Sequence, residues 1–75
     1  MSKIHYNRIK AVLAEYDKSN GETAMALGVT PQTVSRWCTN KSQPKVEMLY
    51  EIAKWLRIDM RELLVSTEWK GRRKK

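Results

Sequence analysis

Cysteine and histidine, on which many catalytic and metal sites depend, are almost absent from this chain. Its 75 residues include one cysteine, Cys38, and one histidine, His5. A single cysteine cannot form an intramolecular disulfide, and Cys38 has no Cys or His at the spacing of a zinc site. There is also no glycine-rich phosphate loop and no nucleophile-elbow motif. These absences predict a protein that is not an enzyme and needs no metal or cofactor.

Long apolar runs and acidic residues are scarce as well. No run approaches the roughly 20 residues of a membrane span, and the first residues lack a signal-peptide core, so we expect a cytoplasmic protein. Lysine and arginine outnumber aspartate and glutamate by 15 to 8, a net charge of +7. Residues 1–64 carry +3 (ten against seven) and residues 65–75 carry +4 (five against one). The balance favours an anionic partner such as nucleic acid, and we predict one domain, residues 1–66, and a basic tail, residues 67–75.

Apolar residues recur with the 3.6-residue period of helices, and no strand-like alternation stands out. The pattern predicts an all-α domain of five helices. Ser19 with Glu22 is a predicted capping box, and Asp59 is a predicted cap of the last helix. The predicted helices run from about Asn7 to an inward-facing Tyr16, from the Ser19 cap to Gly28, from about Pro31 to Cys38, from about Val46 to Leu56, and over a short stretch after Asp59 with Leu63 and Leu64 inward.

Residues 27–44 carry the most informative pattern. Gly28 allows a sharp turn, and Thr30 caps a helix whose first residue is proline, where a missing N–H has no cost. Val34 and Trp37, three residues apart, are predicted to point inward. The outward face then carries side chains of the kinds that contact base edges: Gln32, Thr33, Ser35 and Arg36. The pattern is that of a helix-turn-helix, which places its second helix in the DNA major groove.

The spacing of the wider pattern adds to this interpretation. Lys-Ser-Gln-Pro follows at residues 41–44. Ala24 is the small residue of the pattern and Gly28 its turn glycine. Its apolar positions are Leu27, Val29, Val34 and Trp37, and Ile52-Ala53-Lys54 follows in the fourth helix. With these positions, residues 7–64 resemble the phage-repressor-like helix-turn-helix family, also called the XRE family. The resemblance implies a compact five-helix, lambda-repressor-like domain whose helices 2 and 3 form the motif, with helix 3 (about residues 31–38) binding double-stranded DNA.

Two departures from the family pattern concern the core. Thr23 occupies a position that is usually leucine, and Gly21 lies in the first turn of helix 2. We expect both to make this helix less stable; a glycine in the middle of a helix costs about 0.5–1 kcal/mol relative to alanine. Leu13 and Cys38 stand where many relatives have an arginine and a glutamate. Replacing both partners of a buried ion pair is often neutral or stabilising, so we expect Leu13 and Cys38 to pack together.

The resemblance also implies candidate DNA contacts. Glutamine can form a bidentate pair with adenine and arginine with guanine. The expected base contacts are first Gln32 and Arg36, then Thr33 and Ser35. The expected phosphate contacts are Asn20, Asn40, Lys41 and Ser42. The plainer alternatives are that the helix-3 residues form a solvated surface and that Asn40, a candidate for a left-handed conformation, only builds its turn.

Apolar residues outside the inward stripe of helix 4 indicate a self-association surface. A two-fold dimer would place two recognition helices one DNA turn apart. The candidate surface consists of Met48, Trp55, Met60, Val65 and Trp69. The alternative is that Trp55 enlarges a small core.

Together these features predict a sequence-specific, double-stranded DNA-binding transcriptional regulator that acts as a repressor and binds as a homodimer. One alternative is the antitoxin of a toxin–antitoxin pair, which would bind a toxin protein and repress its own operon. Another is RNA or non-specific nucleic-acid binding, which predicts steep salt dependence without sequence preference. The basic tail could follow the DNA backbone or serve only as a solubilising end.

Overall fold

A computed structural model describes residues 4–67 as four α-helices followed by a short 3-10 turn. The helices are α1 (Ile9–Glu15), α2 (Asn20–Leu27), α3 (Pro31–Cys38) and α4 (Val46–Leu56), and the 3-10 turn is Met60–Leu63. The strand-like pairing found within the described range is an isolated antiparallel bridge between Asn7 and Leu64. The all-α class is therefore as predicted. Of the predicted basic tail, only Thr67 belongs to the described residues.

The prediction of a fifth helix is wrong. Asp59 caps the segment as expected, since its carboxylate accepts a hydrogen bond from the backbone N–H of Arg61. The helix does not continue, because the carbonyl of Leu63 accepts from the Arg8 N–H at 2.8 Å and the Val65 N–H donates to the carbonyl of Tyr6 at 3.0 Å. These bonds to the N-terminal segment use the backbone groups that a longer helix would pair internally.

The same pairing determines which leucine is buried. Leu63 is fully buried, whereas Leu64, which we also expected to point inward, is 44% exposed. Helix α1 is shorter than predicted at both ends. Asn7 lies before it, in the bridge, and Tyr16 follows it and is 41% exposed. The chain turns away directly afterwards, at Asp17, which has a positive φ of 60°.

The local signals of the helix-turn-helix are confirmed. The Ser19 hydroxyl accepts from the Glu22 N–H at 3.0 Å, and the Glu22 carboxylate accepts from the Ser19 N–H at 2.9 Å, which completes the capping box. Gly28 ends α2 with a φ of 73°. The Thr30 hydroxyl then caps α3 by accepting from the Thr33 N–H at 3.1 Å. Each of these contacts joins residues three apart or fewer, so the turn follows from local sequence.

All four helices and the 3-10 turn contribute side chains to one core. Its buried apolar members are Ile9, Val12, Leu13, Ala24, Val34, Trp37, Leu49, Ile52, Ala53, Leu56 and Leu63. Cys38 is half-buried and packs against the cluster to which Leu13 belongs; a direct contact between these two side chains stays a prediction. Thr23 is fully buried, and its hydroxyl donates to the Ser19 carbonyl at 2.8 Å. That bond satisfies the polar group, so threonine is tolerated inside.

A buried amide network fastens the N-terminal segment to the end of α3. The Asn40 side-chain oxygen accepts from the backbone N–H groups of Tyr6 and Asn7 at 2.9 and 3.0 Å, and its NH₂ group donates to the Asn7 carbonyl. The Asn7 amide donates to the Trp37 carbonyl at 3.0 Å and to the Gln43 side chain at 2.7 Å. Its oxygen accepts from the N–H of Ile9 at 2.9 Å, at the start of α1. Two asparagines therefore link three segments of the chain.

We predict that Asn40→Gly lowers the free energy of unfolding by about 2 kcal/mol or more, because buried backbone partners lose their hydrogen bonds. Glycine accepts the φ of 59° found at Asn40, so backbone strain would not be the cause. Asp17→Gly is the matched control, since Asp17 is exposed and has a φ of 60°. Urea unfolding followed by circular dichroism measures both. Equal stability of the two variants would contradict the role of the network.

A second prediction concerns the 3-10 turn. Hydrogen bonds from the Arg61 guanidinium, and then from its backbone N–H, lower the pKa of Asp59 from 3.8 to about 2. A depressed pKa stabilises the fold above pH 3.8, and this stabilisation is lost as the pH falls towards 2. Asp59→Asn keeps a capping acceptor and removes the charge. The difference in melting temperature between wild type and variant should therefore shrink between pH 4 and 2. A difference that is constant over this range would show that the ion pair contributes nothing.

Candidate nucleic-acid interface

Helix α3 is oriented by the two apolar side chains that it buries. Val34 is fully buried and Trp37 is 5% exposed, which leaves the opposite face of the helix to solvent. Gln32, Ser35 and Arg36 are exposed on α3. Gln32 and Arg36 are four residues apart, so they lie one turn apart on the same side. The structure thus places both principal candidates for base contacts on an accessible face.

Thr33 occupies a different position from its neighbours. It is half-buried, and its hydroxyl shares a 2.9 Å hydrogen bond with the hydroxyl of Thr30. Thr30 is the helix cap, so the Thr33 side chain takes part in holding the start of α3.

The loop after α3 is held by the helix that precedes it. The Arg36 carbonyl accepts from the backbone N–H groups of Lys41 and Ser42 at 2.9 and 3.3 Å. Between them and the helix lies Asn40, whose positive φ confirms the expected left-handed conformation. The Lys41 side chain is exposed and Ser42 is half-buried. Since both polar atoms of the Asn40 side chain are bonded inside the protein, the structure favours the turn-building interpretation of that residue.

Asn20 connects the start of α2 to the end of α3. It is exposed at the first position of α2, and its side-chain oxygen lies 3.7 Å from the Cys38 sulfur, which donates to it. Burial raises the pKa of the Cys38 thiol, and the positive charge of Lys10 acts in the opposite direction. A raised pKa keeps the thiol protonated at neutral pH, which makes it a poor nucleophile.

The residues of the predicted dimer surface do not share one environment. Met48, Trp55 and Met60 are half-buried and pack against the core. The Lys18 ammonium lies 5.3 Å from the centre of the Trp55 ring, a cation–π contact. Val65 is 37% exposed, and Trp69 lies outside the described residues. For Trp55, the structure favours the alternative that it enlarges the core.

Three basic side chains on α1, on α3 and in the loop after α3 form no ion pair with a carboxylate among the described residues. The ion pair found among residues 4–67 joins Asp59 to Arg61 at 2.8 Å. Lys10, Arg36 and Lys41 are exposed and belong to no ion pair in that range. Sequence reasoning did not single out Lys10, because its closeness to Cys38 depends on how α1 packs on α3. Asn7 was missed as a positioning residue for the same reason: its partners are about 30 residues away.

Two further features of the described range bear on the kind of site. No helix within residues 4–67 has the length and apolar character needed to cross a membrane. Within the same range, no three His, Cys, Asp or Glu side chains form a group that could hold a metal ion.

Comparisons with known proteins agree with the geometry. A family model described as helix-turn-helix matches residues 9–63. The chain is similar to the crystal structure of a proposed DNA-binding protein from Bacteroides fragilis, with a TM-score of 0.77 and 47% identity over 79% of this chain and 95% of that one. A transcriptional regulator from Listeria innocua shares the fold, with a TM-score of 0.69 and 22% identity over 91% of this chain and 68% of that one. No match was found among curated proteins.

Proposed function

The chain belongs to the XRE-type helix-turn-helix family, and from this premise we propose that it is a sequence-specific, double-stranded DNA-binding transcriptional regulator that acts as a repressor. The observation that carries the proposal is the exposed face of α3, with Gln32 and Arg36 one turn apart above the buried Val34 and Trp37. A preformed helix with this face fits the DNA major groove, which admits one α-helix.

Base recognition would come from the side chains at the outer face of α3. Gln32 can pair with the N6 and N7 atoms of adenine, and Arg36 with O6 and N7 of guanine. Each such pair discriminates against a wrong base by about 1–3 kcal/mol. Ser35 is exposed beside them, and the Thr33 methyl group is suited to a thymine methyl. Repression would then follow from occupation of a promoter.

Backbone contacts would fix the protein on the duplex. Asn20 lies at the exposed start of α2, where N–H groups and the helix dipole favour a phosphate. Lys41 and Ser42 follow α3 in the loop that the Arg36 carbonyl holds. Asn40 acts with them by keeping that loop in place rather than by its own side chain.

A homodimer on DNA is part of the same proposal, because two α3 helices one turn apart would match an inverted repeat. For the contact between copies, this proposal keeps Val65 of the predicted surface, which is 37% exposed, and adds its exposed apolar neighbours Tyr6 and Leu64 in the paired terminal segments. The antitoxin alternative has a separate test: it requires a toxin protein that co-purifies with the chain.

Selection of bound duplexes from a random DNA pool tests the function. We expect enrichment of an inverted repeat with half-sites one helical turn apart. Gln32→Ala/Arg36→Ala, which changes only exposed side chains, should abolish this enrichment and keep the fold. Enrichment that persists unchanged in the double variant would contradict the assignment of α3. Binding without any enrichment would favour a non-specific nucleic-acid binder.

The division of labour between base and phosphate contacts gives another prediction. Lys41→Ala should weaken binding to all duplexes alike and lower the slope of log affinity against log salt by about one. Gln32→Ala should change the preferred sequence and leave that slope unchanged, because no phosphate contact is removed. Salt titrations on the selected duplex and on a scrambled one measure both effects. If the two variants lose the same base discrimination, the proposed roles are wrong.

A further inference from the structure

A cleft runs between α1 and the C-terminal half of α3. It consists of two depressions with volumes of about 750 and 360 Å³. Both are lined by Lys10 and Ala14 of α1 and by Cys38 and Thr39 at the end of α3. Because they share these four residues, the two depressions adjoin each other, and Lys10 lies at the edge of both.

The charge along this cleft has one sign. Its basic lining residues are Arg8, Lys10 and Lys18, and no aspartate or glutamate lines either depression. The carboxylate of Glu22 is bonded to the N–H of Ser19, a residue that lines the smaller depression, and this bond lowers the pKa of Glu22. A cleft whose charged lining residues are all cations favours an anionic occupant.

The three cationic side chains differ in the contacts that they already make within the protein. Arg8 donates a 2.9 Å hydrogen bond to the Glu62 carbonyl, and the Lys18 ammonium lies over Trp55. Lys10 is exposed and has no ion pair within residues 4–67. It is therefore the cation of this cleft that an incoming anion would meet without breaking an existing contact.

The position of the cleft indicates which anion this is. Its smaller depression is also lined by Asn20 and Ser35. Both residues belong to the proposed DNA interface: Asn20 as a phosphate contact and Ser35 as a base contact on the outer face of α3. A DNA strand that passes Asn20 would therefore run along the mouth of the cleft and bring its phosphates within reach of Lys10.

We propose that Lys10 binds a phosphate of the DNA backbone at the mouth of this cleft, as a contact beyond those of α3 and its following loop. The proposal rests on the proposed function, because it takes the same duplex as the occupant. It makes α1 part of the interface and extends the protein's contact with one strand past the start of α2. The effect of the Lys10 charge on the Cys38 thiol agrees with a lysine that lies over the cleft.

The test compares Lys10→Ala with Lys54→Ala in the full chain. Lys54 is exposed on α4, lines neither depression and carries the same charge, so it controls for the loss of one positive charge. Lys10→Ala should weaken binding to every duplex and lower the salt slope by about 0.9. Its affinity deficit relative to wild type should therefore shrink by about 3.5-fold between 50 and 200 mM salt. Lys54→Ala should keep the wild-type slope, and thermal melts would confirm that both variants are folded.

Equal slopes for Lys10→Ala and Lys54→Ala would overturn the inference. If the selected operator is nevertheless enriched and depends on Gln32 and Arg36, the proposed function stands and only the Lys10 site fails. If wild type enriches no sequence but Lys10→Ala alone lowers the slope, sequence-specific regulation fails and the Lys10 site stands. A wild-type protein that binds no duplex would overturn both.

Discussion

The rotation of α3 about its own axis is the constraint on which the proposed interface depends. Val34 and Trp37 are buried in the core, and burying side chains of this size stabilises a fold by about 1.5–3 kcal/mol each. Turning the helix to present another face would expose them. The same burial that stabilises the domain therefore determines which side chains of α3 reach solvent. Stability and recognition use opposite faces of one short helix.

Hydrogen bonds fix both ends of α3, in addition to the burial of Val34 and Trp37 in its middle. At its start, the Thr30 cap lies two residues after the left-handed Gly28, so α2 and α3 meet at a defined angle. At its end, the loop folds back on the Arg36 carbonyl and Asn40 fastens it to the N-terminal segment. A helix of eight residues has little stability of its own. The contacts at both ends therefore stabilise α3, as additional turns would stabilise a longer helix.

The cations of the described residues fall into two groups, one that is paired with a carboxylate and one that is not. The ion pair described above lies in the 3-10 turn, where Arg61 neutralises Asp59. The cations around α3, on α1 and in the following loop have no such partners among the described residues, so their field reaches solvent. Exposed charges of this kind act over about 8–10 Å at ordinary salt concentrations. They are suited to attract a polyanion before the specific contacts of α3 form.

Much of the fold was predictable because its signals are local. The capping box at Ser19, the turn at Gly28 and the cap at Thr30 each depend on residues within one helical turn, and all were confirmed. The bounds of α3 and α4 also agree with the predicted ones. Periodicity identified Val34 and Trp37 as inward-facing, and with them the outer face of α3. Its candidate base contacts could be named for that reason, although their role in binding stays a prediction.

The sequence by itself thus determined α2, α3 and α4, the turn between α2 and α3, and which face of α3 is apolar, since residues within four positions of one another decide each of them. Tertiary structure decided what happens at the ends of the chain. The N-terminal segment pairs with Leu63 and Val65 across more than 50 residues, which ended a predicted fifth helix and exposed Leu64. Hydrogen bonds from the same segment hold the Asn40 side chain inward, and the packing of α1 on α3 places Lys10 beside Cys38. No local pattern encodes such contacts, because their partners become neighbours only once the core has formed.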